Sequence, residues 1–171
     1  MERSNTPPVA DALNAGFKNR AVIFLATGMG LGLMPVAPGT WGSLLGLPFH
    51  WLFRNHSTGI ELAAAGILIL VSIWIAEKAA VLMNEKDPSR VVIDEVCGIA
   101  VALAGAPISP GLITSAFVLF RIFDMWKPFP VRQIEKKLNG GPGIVLDDVA
   151  AGIMANIAWR ILYITVPESF F

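Results

Sequence analysis

The chain has 171 residues, 54% of them hydrophobic and 15% charged, with no formal net charge at pH 7. A soluble domain ordinarily carries about 25% charged residues and a nucleic-acid binder would be basic, so a nucleic-acid partner is excluded and an apolar environment is indicated, as is the mean hydropathy of +0.62. One cysteine, Cys97, excludes an internal disulfide and a multi-cysteine metal site, and two histidines, His50 and His56, exclude a three-histidine zinc site within one chain.

The N-terminus has no short apolar core followed by a small-residue cleavage site, so no secretory signal peptide is expected. Residues 1–8 read as a loose tail ahead of a single domain, 9–171. Five apolar stretches follow: Ala21 to Phe53, broken in its middle by glycines and prolines; Leu62–Ala76, continuing to about Met83; Val96–Ala106; Leu112–Phe123; and Val149–Val166, interrupted by Arg160. Their Ala, Leu, Ile and Met content favours helices, and neither period-2 alternation nor a repeat is present. The expected fold is all-α: a compact helical bundle, polytopic in a membrane, with a Gly/Pro-rich broken first segment. A span needs about 20 apolar residues. The second and fifth stretches reach that only with charges tolerated at an end or inside the bundle, so a soluble helical protein with a large core stays open.

Basic residues alternate between connections. They occupy the tail (Arg3, Lys18, Arg20), the 84–93 loop (Lys86, Arg90) and the 127–147 loop (Lys127, Arg132, Lys136, Lys137). The 105–111 turn and the end after Val166 have none, and the 54–60 loop has only Arg54. This fits a cytoplasmic N-terminus under the positive-inside rule.

On that topology three acidic sites share the cytoplasmic level: Asp94 and Glu95 where the third helix leaves it, Asp124 at the end of the fourth, and Asp147–Asp148 opening the fifth. Five converging carboxylates need cations, and an all-oxygen set suits Mg2+ or Mn2+. Each acid taken singly has a plainer reading. Asp94 and Asp147 suit helix N-terminal caps, and Asp124 has Arg121 three residues before it and Lys127 three after, the spacing of a salt bridge.

The segment TGMGLGLMPVAPGTWGS, residues 27–43, is too glycine-rich for a stable helix. Pro38-Gly39 suggests a turn, with Thr40 capping a helix from about Trp41 and forming an anion site there; a glycine-rich packing break is the alternative. It is neither a Walker loop nor a dinucleotide fingerprint, since Pro35 stands where the third glycine belongs. Of the remaining polar residues, Glu77 reads as a helix-end contact with water or a nearby base, and Arg90 as a loop charge or phosphate contact. Cys97 reads as core, the histidines as structural or exposed, and Arg160 as functional or snorkelling. A cysteine-phosphatase loop is excluded, because the residue six after Cys97 is Leu103.

Four blocks carry a resemblance: GxGxGxxPxAPGTWG (28–42), VIDEVxG (92–98), FRIFDxxKPxP (120–130) and GGxGIxLDDVxAG (140–152). In this order, over nearly the whole chain, they resemble phosphatidylglycerophosphatase A. The resemblance implies a bacterial inner-membrane enzyme that faces the cytoplasm, needs Mg2+ (one or two ions) and removes the terminal phosphate of phosphatidylglycerophosphate. It implies catalytic roles for Asp94, Glu95, Asp124, Asp148, Arg121 and Lys127. The metal would be held by Glu95, Asp124, Asp147 and Asp148, and the phosphate by Gly39, Thr40, Arg121 and Lys127. Trp126 and Phe129 are expected at the membrane interface. Direct attack by water and a phospho-enzyme on Asp94 or Asp148 both stay open. A soluble phosphohydrolase and a membrane cation carrier are the alternatives.

Overall fold

Helix formers dominate each apolar stretch, and helices result. The structure, a computed structural model, describes residues 16–53 and 55–165; the tail at 1–8, Arg3, Arg54 and the end from Val166 lie outside the described residues. In chain order the helices are α1 (Phe17–Ala26), α2 (Pro38–Phe53), α3 (Thr58–Met83), α4 (Ile93–Ala102), α5 (Pro110–Trp126), α6 (Val131–Lys137) and α7 (Gly140–Thr165), with a 3-10 turn at Leu31–Leu33. Among the described residues there is no strand, as expected.

Two local expectations change. The 127–147 loop contains α6, and α7 starts at Gly140, so Asp147 and Asp148 lie two turns inside it rather than at its opening. Pro142 is compatible with this, because the first-turn N–H groups of a helix have no intrahelical partner. The N–H of Gly141 finds an acceptor outside the helix instead, the carboxylate of Glu77 on α3. Glu77 thus contacts the first turn of α7.

The short helix α4 is the central element, packed against α7, α2, α3 and α5. From Cys97 to Leu103 it is buried throughout, and Cys97 is core as expected. One apolar cluster joins α1, α3, α4 and the start of α7, through Ile23, Ile75, Met83, Cys97 and Val145. The other joins α4, α5 and α7 through Ile99, Leu112, Phe120 and Trp159. Close approach is made by small residues: a Cβ on Gly152 of α7 would collide with the carbonyl of Gly98 on α4, and one on Gly46 of α2 with Ile99.

The far end of α4 is closed by polar side chains, which satisfy carbonyls that a helix C-terminus leaves unpaired. Asn156 Nδ2 donates to the carbonyls of Ala102 and Ala104 at 2.9 Å each, Trp159 Nε1 to Ala102 at 2.7 Å and Arg160 Nη2 to Ala104 at 2.9 Å. Arg160 is therefore a structural cap. Nearby, buried Glu61 lies 2.7 Å from His50 Nδ1 and accepts the Gly105 N–H at 2.7 Å. His50 is structural, while His56 is exposed. Ten residues of α4, about 15 Å, separate this polar lock from the acids at its start.

Many outward-facing positions are apolar. On α3, Ile67, Leu70, Trp74 and Val81 are exposed, and on α7 so are Ile153, Ile157, Ile161 and Ile164. Among the described residues α3 is the one helix long and apolar enough to cross a membrane, with a hydropathy of 2.2. α7 equals it at 26 residues but carries Asp147, Asp148 and Arg160.

Candidate active site

Four helix ends meet around one cavity of about 570 Å³. The first turn of α4 brings Asp94 and Glu95; the last turns of α5 bring Arg121, Asp124 and, just past the helix, Lys127; α7 brings Asp147 and Asp148; the start of α2 brings Gly39. All five expected acids, both expected cations and Gly39 line this cavity. Thr40 is not among its lining residues. The reason is that α2 begins at Pro38, which suits a first helical turn, so Thr40 is the third residue of the helix rather than its cap.

The acids separate into two kinds. Asp94, Glu95 and Asp148 each place an oxygen within 4.8 Å of the others, and none has a salt bridge among the described residues. Asp148 is 4% exposed, and its Oδ2 and Glu95 Oε2 are buried without a partner. Asp94 is not an N-cap, since Val92 holds that position; its Oδ1 accepts the neighbouring Glu95 N–H at 3.1 Å. The other two acids are paired. Arg121 Nη1 donates to Asp124 Oδ2 at 2.6 Å, and Lys127 Nζ donates to Asp147 Oδ2 at 2.8 Å and to Glu135 Oε1 at 2.8 Å. The bare trio thus includes Asp94, which the sequence assigns no ligand role, while Asp124 and Asp147 are held by cations.

Buried carboxylate oxygens without a donor, as Glu95 Oε2 and Asp148 Oδ2 are here, are costly beside a third carboxylate. A hard divalent cation such as Mg2+ is the partner an all-oxygen donor set fits, and Asp94, Glu95 and Asp148 are the residues that could hold it. Asp124 sits near enough to Glu95 and Asp148 to interact with both.

The cations are positioned at a conformational cost. Lys127 adopts φ 47 at the end of α5, a left-handed conformation unfavourable for a residue with a Cβ. Burial alone would weaken its charge, but the hydrogen bonds to Asp147 and Glu135 outweigh that and hold its pKa above the ordinary lysine value. Lys127 is therefore a fixed positive charge. Gly39 brings the α2 backbone against Glu95 and Arg121, where a Cβ would collide with Glu95 Oε1.

Sequence reasoning missed Glu135, which lies on the unexpected α6, and the cavity wall contributed by Lys86 to Ser89 and by Asn139. Arg90 pairs with Glu85 at 3.4 Å instead of lining the cavity.

A family model described as Phosphatidylglycerophosphatase A matches residues 24–163, which include every residue of the cluster. The chain is 35% identical over 132 residues to the phosphatidylglycerophosphatase A of Escherichia coli, covering 77% of each. It is 40% identical over 135 residues to that of Haemophilus influenzae, covering 78% of this chain and 83% of the relative. It is also 38% identical over 144 residues to a Bacteroides thetaiotaomicron protein provisionally named a phosphatidylinositol-3-phosphatase, covering 79% and 89%. No solved structure matches the chain.

Proposed function

The chain belongs to the phosphatidylglycerophosphatase A family, and from that premise we propose that it hydrolyses phosphatidylglycerophosphate to phosphatidylglycerol and inorganic phosphate, with Mg2+, at the cytoplasmic face of a bacterial inner membrane. The observation that carries this reading is the bare carboxylate trio beside two oriented cations in one cavity. Mg2+ held by Asp94, Glu95 and Asp148 would supply Lewis-acid polarisation of the phosphoryl oxygens and acidify a water.

The chain's own groups do the rest. Arg121 and Lys127 neutralise charge on the phosphate as it grows. Lys127, held charged by Asp147 and Glu135, acts by charge rather than by giving up a proton. The water oxygen bonds to phosphorus as its proton passes to the Asp124 carboxylate; the bond from phosphorus to the glycerol oxygen breaks, and that oxygen takes the proton back from Asp124 and leaves as the alcohol. The start of α2 seats the phosphate against Gly39. The apolar outward faces of α3 and α7 support a polytopic embedding, with exposed Trp126 and Phe129 at the interface, where aromatic rings are favoured. Basic connections on the acidic-cluster side support the cytoplasmic orientation. The gathering of the acids at one face favours an enzyme over a cation carrier, whose acids would be spread through the bilayer depth.

Purified protein in detergent is expected to release phosphate from phosphatidylglycerophosphate with Mg2+ and to stop with a chelator. No release by a folded preparation with Mg2+ present rejects the assignment, and a preference for phosphatidylinositol 3-phosphate would move it to the head group in the Bacteroides relative's name. Gly39→Ala should lower kcat about a hundredfold by displacing the reacting groups. Its melting temperature should change little, because the added methyl meets the movable ends of Glu95 and Arg121.

A further inference from the structure

The headgroup cavity leaves open where the rest of a lipid would lie. A second groove, about 460 Å³, runs along the outer face of α5 and is lined by Phe117, Val118, Ile122, Met125 and Trp126, with Arg121 as its one charged member. Arg121 also lines the acidic cavity. The groove is open and apolar, with Met125 75% and Trp126 77% exposed. Its volume falls within the roughly 300–1,000 Å³ of ligand pockets. Positions 118, 122 and 125 recur at helical spacing on one face, and methionine adapts to chains of varied shape.

We propose that this groove seats an acyl chain of the substrate lipid, whose head group passes Arg121 into the acidic cavity. The proposal rests on the lipid-phosphatase reading above. What selects this occupant is continuity: the one side chain of Arg121 lines both the apolar groove and the polar cavity. A molecule with an anionic head and an apolar tail can contact both at once, and a lipid that only surrounds the protein has no reason to. Met125 and Trp126 lie near the interface end, and Phe117 and Val118 toward the start of α5, so a chain laid along the helix runs away from the head group.

Two measurements test this. In the full-length protein in mixed micelles, KM should be lower for the dioleoyl than for the dihexanoyl form of phosphatidylglycerophosphate. Filling the groove with Ile122→Trp should raise KM for the dioleoyl form about tenfold relative to the dihexanoyl form, with kcat little changed. If both values move together, or neither moves, the groove is not an acyl site. Independently of turnover, a phosphatidylglycerophosphate analogue with a diazirine in its acyl chain should label the peptide containing Val118 to Met125. Excess phosphatidylglycerophosphate should displace the label and excess phosphatidylethanolamine should not. Equal displacement by both means surrounding lipid only, and cross-linking between two copies means a subunit contact; either overturns the proposal. If wild-type protein hydrolyses neither chain length, the phosphatase reading fails separately, because labelling needs no catalysis.

Discussion

Asp148→Asn is expected to lower kcat/KM for phosphatidylglycerophosphate by about a thousandfold or more, and at the same time to raise the melting temperature of the metal-free protein. The two signs have one cause. Asp148 is 4% exposed, and one of its oxygens lies within 4.8 Å of oxygens from Asp94 and Glu95. No cation among the described residues pairs with any of the three. Without a divalent ion, folding confines their charges to a poorly solvated site, and an amide of the same size removes one of them, worth about 1–3 kcal/mol. With Mg2+ the order reverses. An ion that binds only the folded state stabilises it by about 2.7 kcal/mol at a hundred times its dissociation constant, and that gain should be large in wild type and largely missing in the variant. Melting curves with and without Mg2+, beside phosphate release, check both halves. A variant that keeps its activity and the wild-type response to Mg2+ would remove Asp148 from the metal site.

The helical class and the convergence of the acids were legible because they depend on properties a sequence displays directly: apolar run length, alternating direction, and the rarity of charge. The Arg121–Asp124 pair was legible too, since three residues on a helix make neighbours. What the sequence hid depends on partners distant in the chain. GGPG at 140–143 reads as a loop by local propensity, yet it is the first turn of α7 because Glu77, 64 positions earlier, accepts the Gly141 N–H. The same kind of contact divided the acids. Spacing could not tell that Lys127 reaches Asp147, 20 residues on, nor that Asp94, Glu95 and Asp148 form a trio without a salt bridge among the described residues. Thr40 went astray for the opposite reason, a local rule applied one turn too late: Pro38 opens the helix instead of preceding it.

Lys127→Met should separate the lysine's two tasks. In the folded protein its ammonium is the partner of Asp147 Oδ2, and Asp147, 5% exposed, already has Oδ1 without one. Removing the cation strands a buried carboxylate. Such losses cost about 3–5 kcal/mol, and the partial exposure of Lys127 points to the lower end. Backbone strain does not confuse the comparison, because methionine meets the same left-handed φ 47 as lysine. Turnover should fall about a hundredfold or more, since the phosphate loses a preorganised charge. Adding Asp147→Asn removes the stranded charge, so Lys127→Met/Asp147→Asn should regain most of the stability and none of the activity. Recovery of both would mean that Lys127 serves only to hold Asp147, and loss of stability with full activity in the single variant would give it no part in the chemistry. The pH dependence has a definite sign. The lysine's folded-state pKa is raised, so its contribution to stability is complete below its unfolded value of about 10.4. That contribution fades only as pH rises through the folded-state pKa, and a loss of activity between pH 7 and 9 cannot be assigned to Lys127.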